Sequence, residues 1–224
     1  MLTALQQDVA TIISGLEEAE GFALAGGAAL IIRGDVDRQT RDLDFFGLST
    51  EAVDRLIPVA ERALLRAGLS VERVQVGPGF ARLTVVGGGE RTELDLAADA
   101  RLFPAEPGEP AAMLTGEELA VDKVLAVFGR AEARDFADLT AVEPRYGLER
   151  LCRLAVEKDR GFTPGVFAEM LGRFRRLRRD EFDLDDARYR ELAANVERWR
   201  VRALELSDGF DLGIEQEGDF GPDY

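Results

Sequence analysis

The residues of this chain best suited to chemistry are a glycine pair, Gly26-Gly27, and the stretch Arg38-Gln39-Thr40-Arg41-Asp42-Leu43-Asp44 that follows it. If residues 43–46 form a strand, its two-residue period puts Asp42 and Asp44 on one face, close enough to share a divalent cation. Leu43, Phe45 and Phe46 would anchor that strand. A glycine turn opening a short helix exposes backbone N–H groups, which is where a phosphate chain sits well. Cation and triphosphate sites would then be adjacent, with Arg38 and Thr40 beside Gly26 and Gly27 as nucleotide-binding groups. The plain alternative is a solvated strand edge. Asp35-Val36-Asp37 and Asp183-Leu184-Asp185 share the spacing without the apolar context, and 43 acids among 224 residues produce such pairs by chance. The combination of glycine turn, Arg38, Thr40 and two phenylalanines is what sets Asp42 and Asp44 apart.

Composition narrows the chemistry from the other side. The chain has no histidine and a single cysteine, Cys152. Imidazole bases, His or Cys metal sites and disulfide frameworks are therefore excluded. Carboxylates, Lys, Arg, hydroxyls and oxygen-preferring metals such as Mg²⁺ remain. The formal charge of −15 argues against general coating of nucleic acid, but it is unevenly spread. Residues 145–202 hold 15 basic and 11 acidic side chains, while residues 203–224 hold seven acids and no base. Of the 28 basic residues only Lys123 and Lys158 are lysines.

Two further groups could join the site. Thr92-Glu93-Leu94-Asp95-Leu96 alternates polar and apolar, so Asp95 could lie beside the cation if its strand is an antiparallel neighbour of the metal strand. An exposed strand face is the alternative, and is preferred for Glu93. Lys123, Arg130 and Arg134 fall on one stripe of a helix, provided Gly129 does not break it, with Asp138 in reach of Arg134. A solvated helix face is the alternative there. If Lys123 serves only to neutralise phosphate charge, removing it should hardly change thermal stability.

The elements that must position these groups follow from periodicity. Helices are expected at 2–20, 28–32 and from a Ser49 or Thr50 cap to Gly68; strands at 22–25, 43–46, 71–76, 81–86 and 92–97, the last two joined by Gly87-Gly88-Gly89. Beyond Pro104, Pro107 and Pro110 helices are expected at 117–128, 134–142, 148–157, 164–177 and 187–206. The organisation is thus α+β: a mixed α/β core over 1–110, an all-helical segment over 111–206 and a frayed acidic tail over 207–224. No stretch reaches the ~20 apolar residues of a membrane span. No signal peptide is evident, so the cytoplasm is the expected compartment.

With these motifs in order, the chain resembles the AbiEii-type nucleotidyltransferase toxins, distant members of the DNA polymerase β-like nucleotidyltransferase superfamily. The resemblance rests on Gly26-Gly27-Ala28-Ala29-Leu30, on Arg38 through Phe45, on Lys123 through Asp138 with its Arg-Asp-x-x-Asp-Leu ending, and on Glu157-Lys158-Asp159-Arg160-Gly161-Phe162. It implies a polymerase β-like N-terminal fold, with the helical half completing the active site. It also implies Asp42 and Asp44 as ligands of Mg²⁺ (or Mn²⁺), Lys123 on the nucleotide phosphates, Asp138 as a further catalytic carboxylate and, more loosely, Asp95. An NTP would be the substrate, a separately encoded antitoxin the partner, and the 3′ end of a tRNA one acceptor. Arg173, Arg175, Arg176, Arg178 and Arg179 could grip such an RNA, or form an ordinary solvated helix end. Because some antitoxins of the family resemble kinases, Thr40 is a candidate regulatory phosphosite, unless its hydroxyl merely forms a turn. A small-molecule acceptor, as in antibiotic-modifying nucleotidyltransferases, and a catalytically silent binding module of the same fold are the alternatives.

Overall fold

Five segments with period-two patterning form one mixed sheet in the computed structural model, which describes residues 1–214 and side chains through Asp208. The strands are β1 (Ala23–Ala25), β2 (Asp42–Gly47), β3 (Ser70–Gly77), β4 (Phe80–Gly87) and β5 (Glu90–Ala98), in spatial order β1-β2-β5-β4-β3. Gly88 and Gly89 both take positive φ between β4 and β5, the backbone that a two-residue hairpin turn requires and that glycine adopts without strain. β2 runs parallel to β5 and the other pairings are antiparallel. The expectation of an antiparallel neighbour for the metal strand is thereby corrected. The 47–90 connection carries helix α3 (Thr50–Arg66) and the β3–β4 hairpin, which is chain enough for β5 to enter in the same direction as β2.

Helix α1 (Ala4–Ser14) and α3 pack on one face of the sheet. Leu43, Phe45, Ala81, Leu83, Val85, Leu94 and Leu96 are buried beneath them, each large side chain contributing about 1.5–3 kcal/mol. α1 starts at a Thr3–Gln6 capping box and ends at Gly15, short of the expected residue 20; only a 3₁₀ turn at 17–19 follows. Ser49 caps α3 through Ala52 N. α2 (Gly26–Ile32) leaves directly from β1. One sheet edge is covered, because Leu24 exchanges backbone bonds with Ala112 and Leu114. The other edge strand is β3, which exposes Val74 and Val76.

The chain divides into two compact units, residues 1–119 and 120–224, so the division falls within α4 (Gly116–Gly129). The second unit continues with α5 (Ala133–Tyr146), α6 (Leu148–Lys158), α7 (Pro164–Leu171) and α8 (Asp186–Ile214). Phe136, Leu151, Phe167, Leu192 and Trp199 are buried in its interior. The helix expected over 164–177 ends at Leu171 and gives way to 3₁₀ turns at 172–176 and 179–181. There Phe174, Phe182 and Tyr189 pack ring against ring, with Arg179 over the Tyr189 ring at 4.5 Å. That aromatic packing favours compact turns over a straight helix. The expected tail begins too early, since α8 carries residues 207–214; residues 215–224 of it lie outside the described residues. No helix among the described residues is long and apolar enough to cross a membrane.

Candidate nucleotide and metal site

Along β2 burial alternates, with Leu43, Phe45 and Gly47 buried and Asp42, Asp44 and Phe46 half-exposed. Both carboxylates therefore stand on the sheet face opposite α1 and α3. Asp44 pairs in register with Ala25 on one side and with Asp95 on the other, and Asp42 pairs with Glu93. Register partners in adjacent strands project to the same side, so four carboxylates share this face.

The glycine pair belongs to the same constellation. Gly26 has φ +58°, and a Cβ placed on it would lie 1.9 Å from Asp44 Oδ2. A Cβ on Gly27 would lie 2.7 Å from Arg38 Nη2 and 3.1 Å from Thr40 Oγ1. Backbone without side chains is what lets the Asp44 carboxylate and the Arg38 guanidinium reach this turn. The Thr40 hydroxyl donates to Asp42 Oδ1 at 2.6 Å, the short length of a bond to a charged oxygen, and so fixes one carboxylate. The structure brings together Gly26, Gly27, Arg38, Thr40, Asp42 and Asp44 as the sequence groups them.

Two residues of this region are missed by a linear reading. Gln6 of α1 is buried; its Nε2 donates to the Thr40 carbonyl at 3.0 Å and to Thr92 Oγ1 at 3.4 Å, while its Oε1 accepts from Thr3 N. It ties the Thr40 loop to the scaffold. Its one sequence cue is a polar residue on the apolar stripe of α1. Arg82 of β4, register partner of Asp95, donates from Nε and Nη2 to both Asp95 oxygens at 2.8 and 2.6 Å. Hydrogen bonding to Asp95 and the charges of Asp95, Glu93 and Asp44 hold the Arg82 guanidinium above its ordinary pKa.

The metal can be tested against this donor set. No group of three His, Cys, Asp or Glu residues able to hold a metal occurs among the described residues. Two hard carboxylates are nevertheless what Mg²⁺ asks of a protein when phosphate oxygens and water complete its octahedron. The residues present fit Mg²⁺ or Mn²⁺ arriving with a polyphosphate.

A second constellation lies within residues 120–224. Lys123 Nζ stands 2.8 Å from Asp138 Oδ2 and 3.4 Å from Asp135 Oδ1. Arg130 donates to both oxygens of Asp135 at 2.8 and 2.9 Å. Side-chain exposure is 7% for Lys123, 0% for Asp135 and 1% for Asp138. The helix expected to carry a continuous stripe through Arg134 is broken: α4 stops at Gly129, Ala131 takes φ +54°, and α5 begins at Ala133. The turn brings Asp135 and Asp138 back onto Lys123, so the cluster forms by chain reversal. Lys158, the only other lysine, is buried against Asp122. Burial pushes the Cys152 thiol up to about 12, so no thiolate chemistry is available.

Of the arginine run, Arg175 pairs with Glu197, and Arg178 with Asp180 and Glu181. Arg179 donates to the carbonyls of Phe182 and Leu184. Arg173 and Arg176 are exposed.

A family model described as nucleotidyl transferase AbiEii toxin, type IV TA system, matches residues 9–212. Among solved structures, JHP933 from Helicobacter pylori is similar with TM-score 0.52 and 15% identity, over 98% of this chain and 100% of that one. A candidate nucleotidyltransferase from H. pylori is similar with TM-score 0.54 and 16% identity, over 92% and 94% of the two chains. At these identities the likeness is one of fold. A search of curated proteins gives no match.

Proposed function

The chain belongs to the AbiEii nucleotidyl transferase toxin family of type IV toxin–antitoxin systems, and from that premise we propose that it transfers a nucleotide from an NTP to the 3′ hydroxyl of an RNA, a tRNA in the first instance. The observation that carries this reading is the packing of Gly26 on Asp44 and of Thr40 on Asp42. Asp42 and Asp44 would hold Mg²⁺ or Mn²⁺, which supplies charge neutralisation at the phosphates when bound. Thr40 keeps Asp42 oriented, and the bare backbone of Gly26 and Gly27 leaves room for the phosphates beside the Arg38 guanidinium. Lys123 is proposed as a phosphate-neutralising cation, with Asp138 as its carboxylate partner and Arg130 beside them on Asp135; their ion pairing supports a preorganised charge. Asp95 is proposed as a third carboxylate on this face, held by Arg82 one strand away from the ligands of the ion. The cytoplasm, which would supply both an NTP pool and a tRNA acceptor, is the proposed compartment.

The test is to incubate the protein with each labelled NTP, Mg²⁺ and total cellular RNA, then locate the label. Label on RNA 3′ ends is expected; label on a small molecule overturns the acceptor. For RNA binding, Arg173 and Arg176 are the arginines to change, because replacing Arg175, Arg178 or Arg179 also cuts ion pairs or loop hydrogen bonds. Replacing both by Ala should lower the slope of log affinity against log salt by about 0.7–1 for each phosphate that the protein no longer neutralises, with unchanged NTP binding and melting temperature. An unchanged slope removes this surface from the acceptor site.

The family pairs the toxin with an antitoxin, and Thr40 is proposed as a point of control. A phosphate on Oγ1 would add about −1.5 to −2 charge against Asp42, the carboxylate that this hydroxyl now contacts. Co-expression with the cognate antitoxin should give a protein phosphorylated on Thr40 and inactive, read by intact mass, peptide mapping and nucleotide transfer. Active protein carrying that phosphate, or inhibited protein without it, overturns the proposal.

A further inference from the structure

Asp95 stands one strand from the proposed metal pair, in register with Asp44, yet both its oxygens are engaged. The Asp95 side chain is only 8% exposed, and the guanidinium that grips it comes from β4, on the far side of β5. The two parallel N–H···O bonds form a fork that fixes the plane of the carboxylate as well as its charge. Arg82 Nε also lies 3.8 Å from Glu93, so a single cation is shared along the acidic face. A guanidinium stays protonated throughout the physiological range, so Arg82 remains a cation beside Asp95. Without Arg82, Asp44, Asp95 and Glu93 would face one another on adjacent strands, and cation affinity rises with the number of carboxylates that can turn toward the ion.

We propose that Arg82 is a positioning residue that withholds Asp95 from the divalent ion, so that the ion meets Asp42 and Asp44 without a third carboxylate and is taken up together with the phosphates of its nucleotide. The inference rests on the reading that Asp42 and Asp44 hold the ion. Its consequence is ordered use of the site: the ion is captured as part of a metal–nucleotide complex, and the free protein is a poor sink for Mg²⁺.

The test is Mn²⁺ titration of the full chain, following free Mn²⁺ by electron paramagnetic resonance. Without nucleotide, Arg82→Met, which keeps the apolar stem, should bind Mn²⁺ at least about tenfold more tightly than wild type. Arg82→Met/Asp95→Asn should return to the wild-type value. Asp95→Asn alone should leave Mn²⁺ binding unchanged, and this variant decides the matter if Arg82→Met does not fold. Arg82→Met no tighter than wild type, a double variant as tight as Arg82→Met, or weakened binding by Asp95→Asn each overturns the proposal. Repeating the titration with a non-cleavable NTP analogue and Asp44→Asn, counting as uptake only the loss of free Mn²⁺ beyond that caused by the analogue alone, separates the two layers. Unchanged Mn²⁺ uptake in Asp44→Asn defeats the underlying metal reading; lost uptake with no effect of Arg82→Met defeats only the role of Arg82.

Discussion

Asp42→Asn and Asp44→Asn should each lower nucleotide transfer by at least about 10³-fold, the scale of several kcal/mol of lost charge stabilisation at the phosphates. The fold should survive, because both residues are half-exposed and neither belongs to the apolar layer under α1 and α3. In Asp42→Asn the amide oxygen still accepts the Thr40 hydroxyl, so the loop keeps its anchor. In Asp44→Asn the amide fits the same space beside Gly26. Turnover at saturating Mg²⁺ and NTP, measured beside circular dichroism and thermal melting, checks both halves of the expectation. Near-normal turnover in either variant would move the site elsewhere.

The second large effect concerns stability. Lys123→Ala should destabilise the protein by about 3–5 kcal/mol, because it removes the buried ammonium that pairs with Asp138 and, in part, with Asp135. For a chain of this length that lowers the melting temperature by on the order of 10 °C. Transfer activity, measured at low temperature and normalised to folded protein, should fall by a further ~10²-fold if the ammonium also neutralises phosphate charge. This reverses the expectation from spacing alone, that removing Lys123 would leave stability nearly untouched. A solvated helix face would behave that way; a cation with 7% exposure between two carboxylates does not. An unchanged melting temperature would show that the pair contributes little to the fold.

The contrast between these two cases marks what is legible in the sequence. Asp42, Asp44 and their apolar neighbours can be read because strand alternation is local and needs no knowledge of the partner strand. All five strands and the Gly88-Gly89 turn are legible on the same ground. The β2–β5 direction is not, since it depends on how the intervening α3 and β3–β4 hairpin fold back, and that is a long-range matter. Arg82 is invisible for the same reason: nothing near residue 82 says that the next strand will set Asp95 opposite it. Lys123, Arg130, Arg134 and Asp138 group together in the sequence, but through a continuous helix that does not single out Asp135. The actual geometry is a reversal at Ala131, a non-glycine residue at positive φ, which local pattern does not announce. The acidic composition after residue 206 suggests fraying, yet α8 continues through Ile214. Its earlier turns are held by Leu192, Val196, Trp199 and Ala203, all buried, and that anchoring outweighs local charge.

The burial of Lys123 and Lys158 leaves the folded surface of the described residues without a lysine, in a chain that has only these two. Acylating reagents, aldehyde cross-linkers and lysine-modifying enzymes meet a native protein with almost nothing to attack, since an arginine-rich surface keeps its positive charge without offering a nucleophilic nitrogen. Unfolding exposes two ammonium groups at once. Amine reactivity is therefore a direct gauge of how much of the helical unit has opened.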